Sequence, residues 1–158
     1  MKDRVPMTRL GYDKLEAELR RIKAEERPTI VQEIEAARAH GDLSENAEFH
    51  AAKERQSQIE SRIRQLEDKL ARAQVIDPLV GSTAQVRFGV TVVLLDSETE
   101  EQVTYTIVGE DESDAANGFI SIRSPIARAL LGRTVDEAVT VHVPKGTREF
   151  EVLEIRID

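Results

Sequence analysis

The chain has 158 residues, 22 Lys and Arg against 30 Asp and Glu, a net charge of −8 and no cysteine. It is too apolar for a disordered chain and too highly charged for one large core, and its length allows one or two small domains. Disulfides, thiolate metal sites and thiol nucleophiles are excluded together, and so, by the acidic balance, is a role in coating DNA.

From the N-terminus, MKDRVPMTRL lacks the apolar stretch of a signal peptide. No later run approaches the roughly 18 apolar residues that span a bilayer. The expectation is a cytoplasmic protein with no membrane partner. Leu15, Leu19 and Ile22 have helical spacing, and Ile30, Ile34 and Ala37 resume it after Pro28. A proline there removes a helical hydrogen bond, which predicts a bend near Arg27. In the stretch His40-Gly41-Asp42-Leu43-Ser44-Glu45-Asn46, Gly41 suits the position just past a helix end. Asp42 suits an N-cap, with Glu45 completing a capping box. A second helix is predicted over about 43–75, roughly 45–50 Å long at the α-helical rise. Ala52, Gln56, Ile59, Ile63, Leu66, Leu70 and Ala73 form its heptad seam. A turn this short makes the two helices antiparallel.

Charge and periodicity change together after Asp77-Pro78. Residues 1–78 hold 15 basic and 16 acidic side chains, and residues 79–158 hold 7 and 14. The predicted organisation is a coiled-coil hairpin over 1–78 and a small α+β domain over 79–158. Strands are expected at 86–95, 103–108, 119–122, 139–143 and 150–157 from their β-branched content and polar boundaries. Ser124 as cap, Pro125 at the first helical position and Gly132 as terminator predict a short helix between them. Phe88, Tyr105, Phe119 and Phe150 are expected in the core.

A self-contained catalytic centre is hard to find. No HExxH or glycine-rich phosphate loop is present, and His40, His50 and His142 are scattered. The hairpin end stands out. Asp42 and Glu45 lie three residues apart at a turn, and paired carboxylates suit Mg²⁺, which takes one or two protein carboxylates plus water and phosphate. The same two residues are explained as a capping box, and a cap leaves one oxygen free, so the two readings are compatible. Arg38, Lys53 and Arg55 flank this end, either as a solvated helix face or as a positive patch for a phosphate chain.

The stretch from Ala37 to Glu54, ARAHGDLSENAEFHAAKE, resembles the hairpin tip of the bacterial Gre factors, the transcript cleavage factors of RNA polymerase. The stretch from Ile122 to Gly132, IRSPIARALLG, resembles their C-terminal signature. The likeness runs from Pro6-Met7-Thr8 to the last strand. It implies an FKBP-like fold for the second domain, docked by Ser124 and Pro125 at the rim of the polymerase secondary channel on the largest catalytic subunit. It implies that the coiled coil enters that channel, where Asp42 and Glu45 help hold a second Mg²⁺ shared with the polymerase, none being tightly bound by the factor itself. The backtracked RNA 3′ end is then cleaved by the polymerase, so the chain is an accessory factor and not an enzyme. Arg38, Lys53 and Arg55 fall to RNA contact, and Gly41, Ser44, Asn46 and Phe49 to support of the tip. Phe49 stands where the family often has Tyr, and it lacks the hydroxyl. A monomer is expected, since the seam is used up within the hairpin. The alternative is a channel binder of the same fold that inhibits polymerase without stimulating cleavage. A free-standing prolyl isomerase needs an aromatic-lined pocket, which a domain without Trp is poorly equipped to build.

Overall fold

A computed structural model describes residues 3–39, 46–77 and 82–157. The chain is α+β and divides into two compact units, one of residues 12–72 and one of residues 3–11 with 73 onward. By compactness the division falls after Arg72, and residues 3–11 group with the second unit.

The first unit is a helical hairpin. Helix α1 (Arg9–Arg21) runs through a π-helical turn (Ile22–Glu26) into α2 (Arg27–Arg38), and α3 (Ala47–Arg72) returns alongside α2. The bend expected at Pro28 takes the form of this wide turn. Pro28 has no N–H to offer Ala24, and the ladder widens so that the Arg27 N–H donates to Ile22 O. Leu15, Ile22, Ile30, Ile34 and Ala37 are buried on one strand of the hairpin, and Ala52, Ile63 and Leu66 on the other. Gln56, Ile59 and Leu70 are half-buried at the remaining seam positions. Charged pairs cross the seam's edges. Arg27 makes two bonds to Glu60 at 2.9 and 2.8 Å, Arg62 two to Glu18 at 2.8 and 2.9 Å, Lys23 reaches Glu67 at 3.3 Å, and Arg55 pairs with Glu33. The 26 residues of α3 give a rod of about 39 Å.

The second helix ends earlier than its periodicity predicts. Ala73–Val75 is a strand, β2, paired in parallel with β1 (Val5–Met7). Seam spacing alone cannot see this, because the partner lies at the other end of the hairpin sequence. Thr8 caps α1, its hydroxyl accepting from the Gly11 N–H at 3.1 Å. The Glu112 carboxylate accepts from the Thr8 and Gly109 N–H groups, both at 3.0 Å, and from the Thr8 hydroxyl. A Cβ at Gly11 would lie 2.3 Å from Glu112 Cδ, so a larger residue there would push that carboxylate aside.

The rest of this unit is a five-stranded sheet with order β5-β4-β3-β7-β6. The strands are β3 (Thr91–Asp96), β4 (Gln102–Val108), β5 (Phe119–Ser121), β6 (Ala138–Val143) and β7 (Gly146–Arg156). All neighbours are antiparallel except β4 and β5. The first predicted strand starts late, at Thr91 and not Val86. Gly89 has a φ of 88°, so the chain turns there, and Val86 instead exchanges backbone bonds with Gly132 and Arg133 at 2.8 Å. Phe88 and Phe150 are in the core as expected and Tyr105 is half-buried, whereas Phe119, on edge strand β5, is 41% exposed. Short helix α4 (Pro125–Leu130) covers the sheet through Ala127 and Leu130, both fully buried. Among the described residues no helix is long and apolar enough to cross a membrane.

Candidate functional site

The hairpin end is built from the last turn of α2 and the first of α3. Helix α3 begins at Ala47, and its first helical bond runs from the His50 N–H to Asn46 O at 3.1 Å. The Phe49 N–H donates to Asn46 Oδ1 at 3.0 Å, so Asn46 is the N-cap. The helix thus starts at Ala47 and not at about 43, as its sequence predicts. The other end of the same amide, Asn46 Nδ2, donates to Ala37 O at 2.6 Å. Ala37 is in the last turn of α2, where carbonyls run out of helical partners. One side chain therefore satisfies an orphan donor of one helix and a carbonyl of the other.

Beneath this bridge, Phe49 packs against the cluster of Ile30, Ile34 and Ala52, with its ring edge-on to His50 at 5.7 Å. A ring at this position is used for packing, and no hydroxyl is needed for that. Asp42, Glu45, Gly41 and Ser44, together with His40, lie outside the described residues. The capping box proposed for Asp42 and Glu45 also lies outside them. What is described is that α3 already has its cap in Asn46.

The basic residues differ in their commitments. Arg38 is exposed in the last turn of α2 and bonds to no other described side chain. Lys53 is exposed one turn beyond Phe49 on the same helix, and its ammonium touches only Gln56 Oε1, at 3.2 Å. Arg55, by contrast, is ion-paired across the hairpin with Glu33. Among the described residues no group of three His, Cys, Asp or Glu side chains is placed to hold a metal ion.

In the second unit, Ser124 caps α4, its hydroxyl accepting from the Ala127 N–H at 3.2 Å, and Pro125 occupies the first turn with its ring exposed. Both residues thus have a structural use, and the ring face of Pro125 is left to solvent. Sequence reading missed the pair Asp96–Arg148. Asp96 is 5% exposed, bonded to Arg148 at 2.8 Å and to the Glu98 and Thr99 N–H groups at 3.0 and 3.2 Å. The Arg148 bond first, then the two N–H groups, hold its carboxyl below the usual range. Arg148 also lies 4.8 Å over the Phe150 ring. Position gave a weak signal for this pair, because its members are 52 residues apart.

Comparison with known proteins covers both units. Residues 5–75 match the family described as transcription elongation factor, N-terminal, and residues 81–157 the family described as transcription elongation factor, GreA/GreB, C-term. The transcription elongation factor GreA of Alkalilimnicola ehrlichii is 53% identical over 154 residues, 97% of this chain and 98% of that protein. The same-named protein of Chelativorans sp. is 56% identical over 154 residues, 98% of each. Among solved structures, the GreA factor homolog 1 of Thermus thermophilus is similar at 30% identity and a TM-score of 0.45, with 97% of this chain and 99% of that one covered.

Proposed function

The chain belongs to the GreA/GreB family of transcription elongation factors, and on that premise we propose that it delivers Asp42 and Glu45 to the active centre of a backtracked RNA polymerase and stimulates cleavage of the RNA 3′ end. The observation that carries this reading is the cap of α3. Asn46 supplies it, so the start of that helix does not call for acids at 42 and 45. With that end of α3 already capped, the chemistry of the two carboxylates is read as serving a partner.

On this reading the hairpin inserts through the polymerase secondary channel, a use suited to a pair of helices with no bulk beyond their seam. Two carboxylates fit Mg²⁺ as an incomplete ligand set, to be completed by the polymerase's own acids. Mg²⁺ bound there supplies charge stabilisation to the attacking and leaving oxygens of an in-line displacement. Asp42 and Glu45 contribute oxygen donors and accept a hydrogen bond from the attacking water. Arg38 and Lys53, whose cations are not tied into ion pairs with described side chains, contact the phosphates of the extruded RNA on this reading. Arg55 serves the hairpin through Glu33, and any RNA contact requires it to leave that pair. The second unit docks at the channel rim on the largest catalytic subunit through the loop of Ser124 and Pro125. The chain acts in the cytoplasm, as a monomer, and has no nuclease activity of its own.

The test compares wild type with the double variant Asp42→Asn, Glu45→Gln on stalled, backtracked complexes across a Mg²⁺ series. Loss of the two charges is expected to slow cleavage about 100-fold, in line with removal of a principal electrostatic stabiliser. Unchanged cleavage by the variant would sink the proposal. Slowed nucleotide addition without RNA release by wild type would instead favour the inhibitory channel binder.

A further inference from the structure

We propose that Asn46 is a positioning residue, whose amide ties the start of α3 to the last turn of α2, the two helix ends that flank the acid-bearing residues 40–45 in sequence, through one side chain. The inference rests on the tip reading above and adds what keeps that tip in register. The geometry separates two roles within one residue. Oδ1 accepts from the Phe49 N–H at 3.0 Å, which is ordinary N-capping. Nδ2 donates to Ala37 O at 2.6 Å, which capping of α3 does not require. The orientation of the amide is settled by its partners, since an N–H needs an acceptor and a carbonyl needs a donor. Serine, threonine and aspartate cap helices as well as asparagine does, but none presents an amide N–H₂ that can donate across to α2.

The surroundings make the bridge stiff. Ala37 is 3% exposed and Asn46 is half-buried, so water competes poorly for the Ala37 carbonyl. Phe49, whose N–H is the cap's donor, is itself anchored on Ile30, Ile34 and Ala52. Residues from both helices therefore hold the amide on two sides. The six-residue connection between Ala39 and Asn46 starts and finishes on this fixed base. Two acids that must complete a metal site in another protein benefit from a base that does not splay, because small misplacements of reacting groups are costly in rate.

The experiment uses the full-length chain with Asn46→Asp, Asn46→Ser and Asn46→Ala, and with the Asp42→Asn, Glu45→Gln double variant alongside. Three readouts are taken: hydrogen exchange at the Phe49 amide, the factor concentration giving half-maximal cleavage, and the cleavage rate at saturation. Asn46→Asp and Asn46→Ser keep the cap, so Phe49 protection should stay near wild type, whereas Asn46→Ala should lose it. All three lose the bridge, so the saturated rate should fall about tenfold in each, with the half-maximal concentration unchanged. Wild-type rates in the aspartate and serine variants would overturn the proposal and leave Asn46 as a cap alone. A weakened half-maximal concentration at an unchanged saturated rate would overturn it too, by moving the effect to docking. If the double tip variant cleaves like wild type, the parent reading fails. If that variant is inactive while the two capping variants are fully active, only the bridge proposal fails.

Discussion

The two units are held together by different means. Among the described residues the sheet unit encloses fourteen buried side chains in one cluster, with Phe150, Leu94, Ile107 and Leu130 fully out of solvent. Among the described residues the hairpin buries Leu15, Ile22, Ile30, Ile34, Ala37, Ala52, Ile63 and Leu66 along one seam, with Phe49 and Ile59 packed against the cluster of Ile30, Ile34 and Ala52. A pair of helices can bury one stripe each, so the hairpin depends more on its edges. Its register is written in the crossing pairs Arg27–Glu60, Arg62–Glu18, Arg55–Glu33 and Lys23–Glu67. A stripe buried between two helices leaves the outer faces charged, whereas a sheet covered by a helix buries a more compact core.

The largest effect that could break this contrast is expected at Phe150. Phe150→Ala removes a ring with no exposed surface and should cost about 3–5 kcal/mol. In a Tyr12→Phe background, which leaves Tyr105 as the single tyrosine, fluorescence would report an early loss of the sheet unit, while far-ultraviolet dichroism retains the hairpin's helical signal. Simultaneous loss of both signals would show that the hairpin has no separate stability, and the comparison would fail.

An acid-sensitive effect follows at Asp96. Its folded carboxyl titrates below the ordinary value near ~3.9, so its contribution is complete above that pH and disappears as pH falls through the lower folded value. Asp96→Asn should therefore melt earlier than wild type at neutral pH, and the two melting curves should converge as acid protonates the wild-type side chain. A constant gap down to low pH would mean that the Arg148 pair is not the source of the difference.

The smallest effect belongs to the hairpin edge. The Glu18 carboxyl is held below its usual range by its bond to Arg62, yet both side chains are about a third exposed. Glu18→Gln should cost under about 1 kcal/mol after solvent screening. Most of that difference should vanish at high salt, read as a melting shift of the helical signal. A large, salt-insensitive loss would mark the pair as part of the buried seam and not of its exposed edge.

Legibility in sequence followed the range of the interaction. The α4 cap was readable because Ser124, Pro125 and the Ala127 N–H lie within four residues. The α3 cap was misread for a local reason too. Asp42 and Glu45 fit a capping box, and Asn46 fits an N-cap equally well, so composition could not choose between two starts four residues apart. Only the placement of Ala37 beside Asn46 shows which residue holds the helix end.

By itself the sequence determined that there is a heptad hairpin, an α+β partner and a conspicuous pair of acids between two helices, because period, turn residues and the motif are properties of neighbours. Tertiary structure decided where α3 starts and stops, that Val5–Met7 pairs with Ala73–Val75, that Glu112 holds the start of α1, and that Arg55 is tied to Glu33. Those outcomes depend on which distant groups reach one another once the apolar stripes are buried. No spacing along the chain encodes that distance.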